Sequence, residues 1–346
     1  LPGLNATLAV PDWPRLLGMP SARAVLRARP EDFEVEEVAR IHPQGEGAHL
    51  WLWVEKRGEN TDWVAGRLAQ AAGCATRDVG YAGMKDRHAV TRQWFSVPAQ
   101  GAAELPWADW RIDGVRLLDA RRHPRKLQRG ALAGNRFRIV LREWRGEPVD
   151  LAARLERIVT SGLPNYFGPQ RFGHDGLNVR RGVQWLRDGG RLSRAKRSIY
   201  LSAVRSFLFN QVLARRVVAD CWNRLLPGEV AMLDGTRSVF TCDAIDPDLQ
   251  RRCREFDLHP SGPLPGRGGL QPGQEAGALE QSALAPYAEL TSALARAGLE
   301  ADRRSLRVKA AGLAWNLEAD RLELAFELPA GAYATALVRE LVSEVQ

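Results

Sequence analysis

The chain has no apolar run approaching the roughly 18–20 residues that a membrane-spanning helix needs. Its amino-terminal stretch, LPGLNATLAVPDWPRLLGMP, is broken by prolines and lacks a basic lead into an apolar segment, so no signal peptide is expected. Only four cysteines occur, Cys74, Cys221, Cys242 and Cys253, and no two form a C-x-x-C pair. Neither a disulfide framework nor zinc-finger spacing is present, which points to a reducing, cytoplasmic compartment and no structural metal. The six histidines show no H-E-x-x-H or facial-triad spacing, and neither G-x-x-x-x-G-K-[ST] nor G-x-S-x-G occurs. These absences argue against secreted, membrane, zinc-finger, P-loop and serine-hydrolase classes, and no cofactor is expected.

What is present is ordinary in amount and uneven in placement. The 346 residues suffice for two domains, and 45% hydrophobic with 26% charged residues is the balance of a globular protein. Lys+Arg 49 against Asp+Glu 41 gives +8 overall. Residues Arg121–Arg145 carry nine cations against Glu143, and Arg171–Arg205 carry nine against Asp175 and Asp188. The rest of the chain is net acidic. Segregated positive charge attracts a polyanion, because each neutralised phosphate releases counterions. Arginines spread over solvated faces for solubility are the plainer explanation of such charge, and its segregation into two stretches is what favours nucleic acid.

Strand and helix signals alternate early in the chain. His49–Glu55 places Leu50, Leu52 and Val54 on one strand face and Trp51 and Trp53 on the other. Asn60-Thr61-Asp62 offers a helix start, with Val64, Leu68 and Ala71 inward and a stop near Gly73. Thr91–Val97 and Arg136–Trp144 read as strands. In the second, Phe137, Ile139 and Leu141 share one face while Arg136, Arg138 and Arg142 share the other, a plausible phosphate-facing side. Helices are expected over Leu151–Val159, Ser198–Trp222, Leu284–Ala297 and Thr335–Glu344, and a strand over Leu322–Leu328. Gly162–Gly173 and the Pro/Gly-dense Ser261–Gly277 read as loops.

The segment Val79–Val97, VGYAGMKDRHAVTRQWFSV, holds the clearest candidate for chemistry. Gly83 is read as relaxing the backbone before an exposed Met84-Lys85-Asp86-Arg87-His88. Flanking cations favour an ionised Asp86, which suits a nucleophile toward a sugar anomeric carbon or a general base. For an arbitrary Lys-Asp-Arg, a solvated aspartate in a charged turn is the commoner outcome. Asn135 and Phe137, two apart on a strand, can face one ligand, and Tyr166, Phe167 and Phe172 surround Arg171. Unstacked RNA bases are held against aromatics in this way, although an aromatic in a strand is usually core.

The segments PEDFEVEEV (Pro30–Val38), AGMKD with TRQWFSV (Tyr81–Val97) and GNRFRIVL (Gly134–Leu141) resemble the TruD family of tRNA pseudouridine synthases. So do PNYFGPQRFG (Pro164–Gly173), LDGTRSVF (Leu233–Phe240), SGPLPG (Ser261–Gly266) and FELPAGAYATALVREL (Phe326–Leu341), in the same order. One departure is Pro265, in a loop where the family more often has Trp. The resemblance implies an α+β fold: a pseudouridine synthase core with a mixed, largely antiparallel sheet, built from 1–162 and 305–346. An inserted α/β TRUD domain would span 163–304. It implies Asp86 as nucleophile, and Phe33, Asn135 and Phe326 as contacts to the target base or its nucleotide. Phe137 joins them from the strand reading, and Arg136, Arg138 and Arg171 are expected on the RNA backbone. The implied substrate is uridine 13 in the D-arm of tRNA, with tRNA the partner and no metal, membrane or obligate protein partner. The chemistry is compatible: breaking C1′–N1, turning the uracil and bonding C5 to C1′ needs a carboxylate, a closed pocket and a base. A non-catalytic RNA-binding protein is the main alternative. A metal-dependent nuclease is disfavoured because no acidic cluster accompanies Asp86.

Overall fold

A computed structural model describes residues 8–345; residues 1–7 of the amino-terminal stretch and Gln346 lie outside it. The chain forms two compact units, one of residues 21–147, 310–331 and 342 onward, the other of residues up to 20, 148–309 and 332–341. All of 163–304, the expected insert, falls in the second unit. That unit also takes in segments expected in the core. The reason is local: helix α2 (Pro148–Ser161) packs on α9 (Ala334–Leu341), and Arg154 of α2 donates to the carbonyls of Leu17, Gly18, Met19 and Glu340.

The first unit is built on one large mixed sheet. Its strands are β1 (Arg23–Leu26), β2 (Phe33–Ala39), β3 (His49–Arg57), β4 (Gly80–Tyr81), β5 (Val90–Pro98), β6 (Arg111–Ile112), β7 (Val115–His123) and β8 (Leu132–Arg145). The later chain adds β15 (Ala311–Glu318), β16 (Arg321–Pro329) and β17 (Glu344–Val345). The main order is β15-β16-β8-β2-β5-β3-β7-β6. The pairs β2–β5 and β1–β17 are parallel, and the other pairings are antiparallel. The fold is therefore the expected α+β class with a mixed, largely antiparallel sheet. Leu50, Leu52 and Val54 face inward as their alternation predicts, and pack with Phe95 and Val97 against Val64 and Leu68 of α1 (Thr61–Ala71).

The opposite face of the sheet is a lattice of charge. Arg116, Glu55, Arg92, Glu34 and Glu36, Arg136 and Arg138, Glu323 and Glu327 follow one another across β7, β3, β5, β2, β8 and β16. Period-two alternation brings these charges to one face, and the register sets opposite signs across each of these pairings.

In the second unit the core gathers around α5 (Arg194–Val218), whose Val204, Phe207, Leu208 and Leu213 are buried with Trp13 and Trp222. Tyr166, Phe167 and Phe172 belong to this core rather than to an open base-holding loop. A four-stranded sheet has the order β11 (Val239–Cys242), β10 (Glu229–Leu233), β12 (Leu258–Leu264), β13 (Asp302–Ser305). Here the expected long loop Ser261–Gly277 is corrected, since its start lies in β12 and its end in α7 (Gln274–Leu284). Prolines 260 and 263 hid the strand. They are tolerated because β12 pairs with β10 at 258–260 and with β13 at 261–264, so each half is an edge on one side. Pro286 sits in a 3₁₀ turn between α7 and α8 (Ala288–Arg296), dividing the single helix expected at Leu284–Ala297.

Candidate active site

The segment leading to Asp86 is fixed before it leaves the sheet. Gly80 pairs with Ser96, and a Cβ there would fall 2.3 Å from the Leu127 carbonyl oxygen, so a side chain is excluded by close approach. Gly83 has no comparable demand on it, with nothing nearer than 3.6 Å. The loop from Gly83 to His88 is then held at nearly every residue. Gln93 Nε2 donates to the Gly83 carbonyl at 2.9 Å. Thr61 Oγ1 accepts from the Lys85 amide at 3.0 Å and donates to Gln93 Oε1 at 3.3 Å. The Lys85 ammonium reaches Glu37 of β2 at 2.9 Å, and Lys56 Nζ donates to the Asp86 carbonyl at 2.7 Å.

The Asp86 carboxylate itself is left at the surface, its side chain 22% exposed. Oδ1 accepts from the His88 amide at 3.3 Å, and Oδ2 accepts from Arg27 Nη2 at 2.6 Å. His88 is exposed and contributes its backbone amide to Asp86. Arg27 follows β1 with φ +61°, a left-handed conformation that costs a non-glycine residue about 1–2 kcal/mol. Its guanidinium also lies 4.2 Å from the centre of the Phe33 ring, while its Nε is buried without a partner. Phe33 is positioned by the turn before it: buried Asp32 accepts a bidentate pair from Arg142 at 2.8–3.0 Å and an amide hydrogen from Arg29.

From Phe33 a row of rings runs along one face of the sheet. Phe33 meets Phe137 edge-on at 6.2 Å, and Phe137 stacks on Phe326 at 5.3 Å. The register explains it, because Phe137 lies directly opposite Phe326 on β16 and Val35 on β2. All three rings are buried. Asn135, two residues earlier, is flanked by Glu37 and Leu328, and its Oδ1 is buried with no donor. Asp86, Phe33, Asn135, Phe137 and Phe326 are thus linked on one side of one sheet.

The expected phosphate contacts are placed differently. Arg136 and Arg138 point away from this face and sit in the charge lattice, Arg136 on Glu36 (3.1 Å) and Glu327 (2.8 Å), Arg138 on Glu34 (2.9 Å) and Glu323. Arg142 is likewise committed to Asp32. Alternation within β8 requires this: residues that place Phe137 on the aromatic face put Arg136 and Arg138 on the other. Arg171, in the second unit, donates to Ser202 at 3.1 Å, lies 5.4 Å from the Phe167 ring, and has a buried, partnerless Nε. Among the described residues no ion pair engages Arg122, Arg125, Lys126 or Arg129. Arg122 lies near the end of β7, opposite Leu50 of β3, and the other three follow in the segment beside β4: Gly130 donates to the Ala82 carbonyl at 2.8 Å, and Arg129 lies 3.7 Å from the centre of the Tyr81 ring and donates to its hydroxyl, which in turn donates to Asp62.

Sequence reading passed over Arg27 and Lys56. Lys56 had a visible signal, since it shares the inward face of Leu50, Leu52 and Val54 and a lysine there breaks the apolar pattern. Arg27 had none, as its role depends on a backbone bend that places it over Phe33.

A carboxylate fixed on a rigid loop beside an aromatic row equips this fold for nucleophilic or acid–base chemistry on a planar ligand. The family model of tRNA pseudouridine synthase D (TruD) matches residues 15–184 and 181–341. The tRNA pseudouridine synthase D of Methylococcus capsulatus is 49% identical over 333 residues, covering 96% of this chain and 94% of its own length. That of Nitrosococcus oceani is 49% identical over 328 residues, covering 93% and 91%. A crystal structure assigned to tRNA pseudouridine synthase D from Methanosarcina mazei superposes with TM-score 0.70 at 19% identity, covering 99% of this chain and 97% of that one, and shows the shared fold. The chain belongs to the tRNA pseudouridine synthase D family.

Proposed function

We propose that this chain isomerises uridine 13, in the D-arm of tRNA, to pseudouridine, with Asp86 as the nucleophile and the cytoplasm as its place of work. The observation that carries the reading is the pairing of a fixed carboxylate with an unmet amide acceptor on one sheet face. Arg27 and the His88 amide hold both Asp86 oxygens, and Asn135 Oδ1 is buried without a donor. Uracil offers an N3–H donor and a flat ring, which suit Asn135 and the Phe33–Phe137–Phe326 row.

The target nucleotide leaves its stack at a cost of a few kcal/mol, offset by contacts to the RNA backbone. An Asp86 oxygen attacks C1′ as the C1′–N1 bond breaks, and the electron pair departs with uracil on N1. The detached uracil turns within the pocket, C5 bonds to C1′, and the Asp86–C1′ bond breaks to restore the carboxylate. A base collects the C5 proton and N1 gains one, so substrate and product are isomers. Arg27 orients the carboxylate for attack and keeps a positive charge beside it.

Phosphate contacts are assigned to Arg171 and to Arg122, Arg125, Lys126 and Arg129, which form no ion pair among the described residues. Arg136 and Arg138 are spent on neighbouring carboxylates. The test is Asp86→Asn, which keeps the shape and removes the nucleophile. Single-turnover pseudouridine formation in tRNA should vanish while tRNA binding survives. Appreciable product from this variant would remove Asp86 from the role, and wild-type protein that binds tRNA without modifying it would favour a purely RNA-binding function.

A further inference from the structure

Lys56 is fully buried in β3, on the face that otherwise carries Leu50, Leu52 and Val54. A sealed ammonium is costly, and such a group persists where hydrogen-bond acceptors meet it. Its Nζ donates to two main-chain carbonyls, Glu59 at 2.8 Å and Asp86 at 2.7 Å. The first closes the turn between β3 and α1, and the second belongs to the residue read as the nucleophile. Asp86 is therefore gripped twice, by Arg27 on its carboxylate and by Lys56 on its backbone.

We propose that Lys56 is a positioning residue for the reaction, whose ammonium fixes the Asp86 backbone so that the carboxylate presents to C1′. This rests on Asp86 being the nucleophile. The charged groups around the ammonium are Asp86 and Lys85 of the active-site loop and Glu59 of the turn, with Glu37 of β2 behind Lys85 and Arg27 beyond Asp86. Neutralising the ammonium weakens both charge-assisted hydrogen bonds and removes a cation from beside the carboxylate.

The same placement gives the device a pH signature. Burial, opposed in part by Asp86 and Glu59, brings the Lys56 ammonium down from 10.5 to about 8. The folded-state value then lies below the unfolded one, so between about 8 and 10.5 the unfolded chain binds more protons at this site. The Lys56 contribution to stability therefore rises with pH across that window, while its grip on Asp86 is lost as pH passes about 8. Turnover and this part of stability move in opposite directions. Simple alkaline unfolding would move both down together.

The experiment measures single-turnover pseudouridine formation and denaturant stability of the full chain from neutral to mildly alkaline pH, for wild type, Lys56→Met and Lys56→Arg. Wild type should lose rate reversibly around pH 8 with the fold intact. Lys56→Met should be slower by roughly 10–100-fold at neutral pH, the usual effect of a misplaced reacting group, with unchanged tRNA affinity and no alkaline limb. Lys56→Arg carries a charge that does not titrate, so its remaining activity should also lack the limb. A wild-type rate flat across the whole mildly alkaline range, a full-rate Lys56→Met, or a limb retained in either variant overturns the proposal. Should Lys56→Met fail to fold, the wild-type and Lys56→Arg profiles decide. Wild-type protein that makes no pseudouridine at all would instead overturn the functional reading on which this rests.

Discussion

The Lys85 ammonium lies 2.9 Å from Glu37 Oε2, with the two side chains 5% and 1% exposed. This buried ion pair ties the residue before Asp86 to the central strand β2, beside Asn135. Removing one partner strands the other charge in a dry setting. Lys85→Met or Glu37→Leu alone should each cost about 3–5 kcal/mol in urea unfolding. The double variant should recover most of that stability, because two apolar side chains need no compensation. Its turnover should stay low, since the loop has lost its tether. Losses that simply add in the double variant would mean the two side chains act independently.

Arg27 stores strain at the site it serves. Arg27→Gly relieves the left-handed backbone by about 1 kcal/mol while losing a cation–π contact and a partly exposed ion pair, each worth up to about 1 kcal/mol. Net stability should therefore change by about 1 kcal/mol or less. Orientation of Asp86 should suffer far more, lowering single-turnover rate by roughly 100-fold. Equal activity in the glycine variant would assign the strain to packing alone.

Phe137 offers a sharper test than its sequence position suggested, because its ring is buried and stacked on Phe326. Truncation to alanine should cost about 3–5 kcal/mol, as for any core aromatic. Phe137→Leu should restore most of that stability. If the ring also receives uracil, the leucine variant will fold and remain slow, because stacking on a base is worth about 1–3 kcal/mol. Full activity in Phe137→Leu would confine the residue to packing and shift attention to Phe33.

What the sequence made legible was periodic or motif-bound. Alternation placed Leu50, Leu52 and Val54 inward, and paired Asn135 with Phe137 on one face. The AGMKD segment singled out Asp86 as the candidate nucleophile. Two kinds of information were missing. Charge counting treated Arg136 and Arg138 as available cations, because their partners Glu34, Glu36, Glu323 and Glu327 are about 100 to 190 residues away in sequence and meet them only through strand register. Composition also hid β12, since Pro260 and Pro263 read as loop residues unless one knows that the strand changes partner midway.

The pairing of Arg136 and Arg138 changes what a salt titration should show. Five arginines and five glutamates alternate over the lattice face, with Arg321 on Glu323 at its edge, so its net charge is zero and its long-range field is weak. Arg136→Gln or Arg138→Gln should leave both tRNA affinity and its salt dependence unchanged, with a stability effect of about 1 kcal/mol or less for half-exposed pairs. Arg125→Gln and Arg129→Gln, by contrast, remove cations that form no direct ion pair among the described residues, Arg129 meeting Asp62 only through the Tyr81 hydroxyl. Each should weaken binding and flatten the plot of log affinity against log salt by about 0.7–0.9, the slope lost with one phosphate contact. The choice of uridine should not change, because backbone contacts position the RNA without reading it. The measurement is tRNA binding across a salt series for the four variants. A slope that falls with Arg136 or Arg138 and holds with Arg125 and Arg129 would return the phosphate surface to the lattice face.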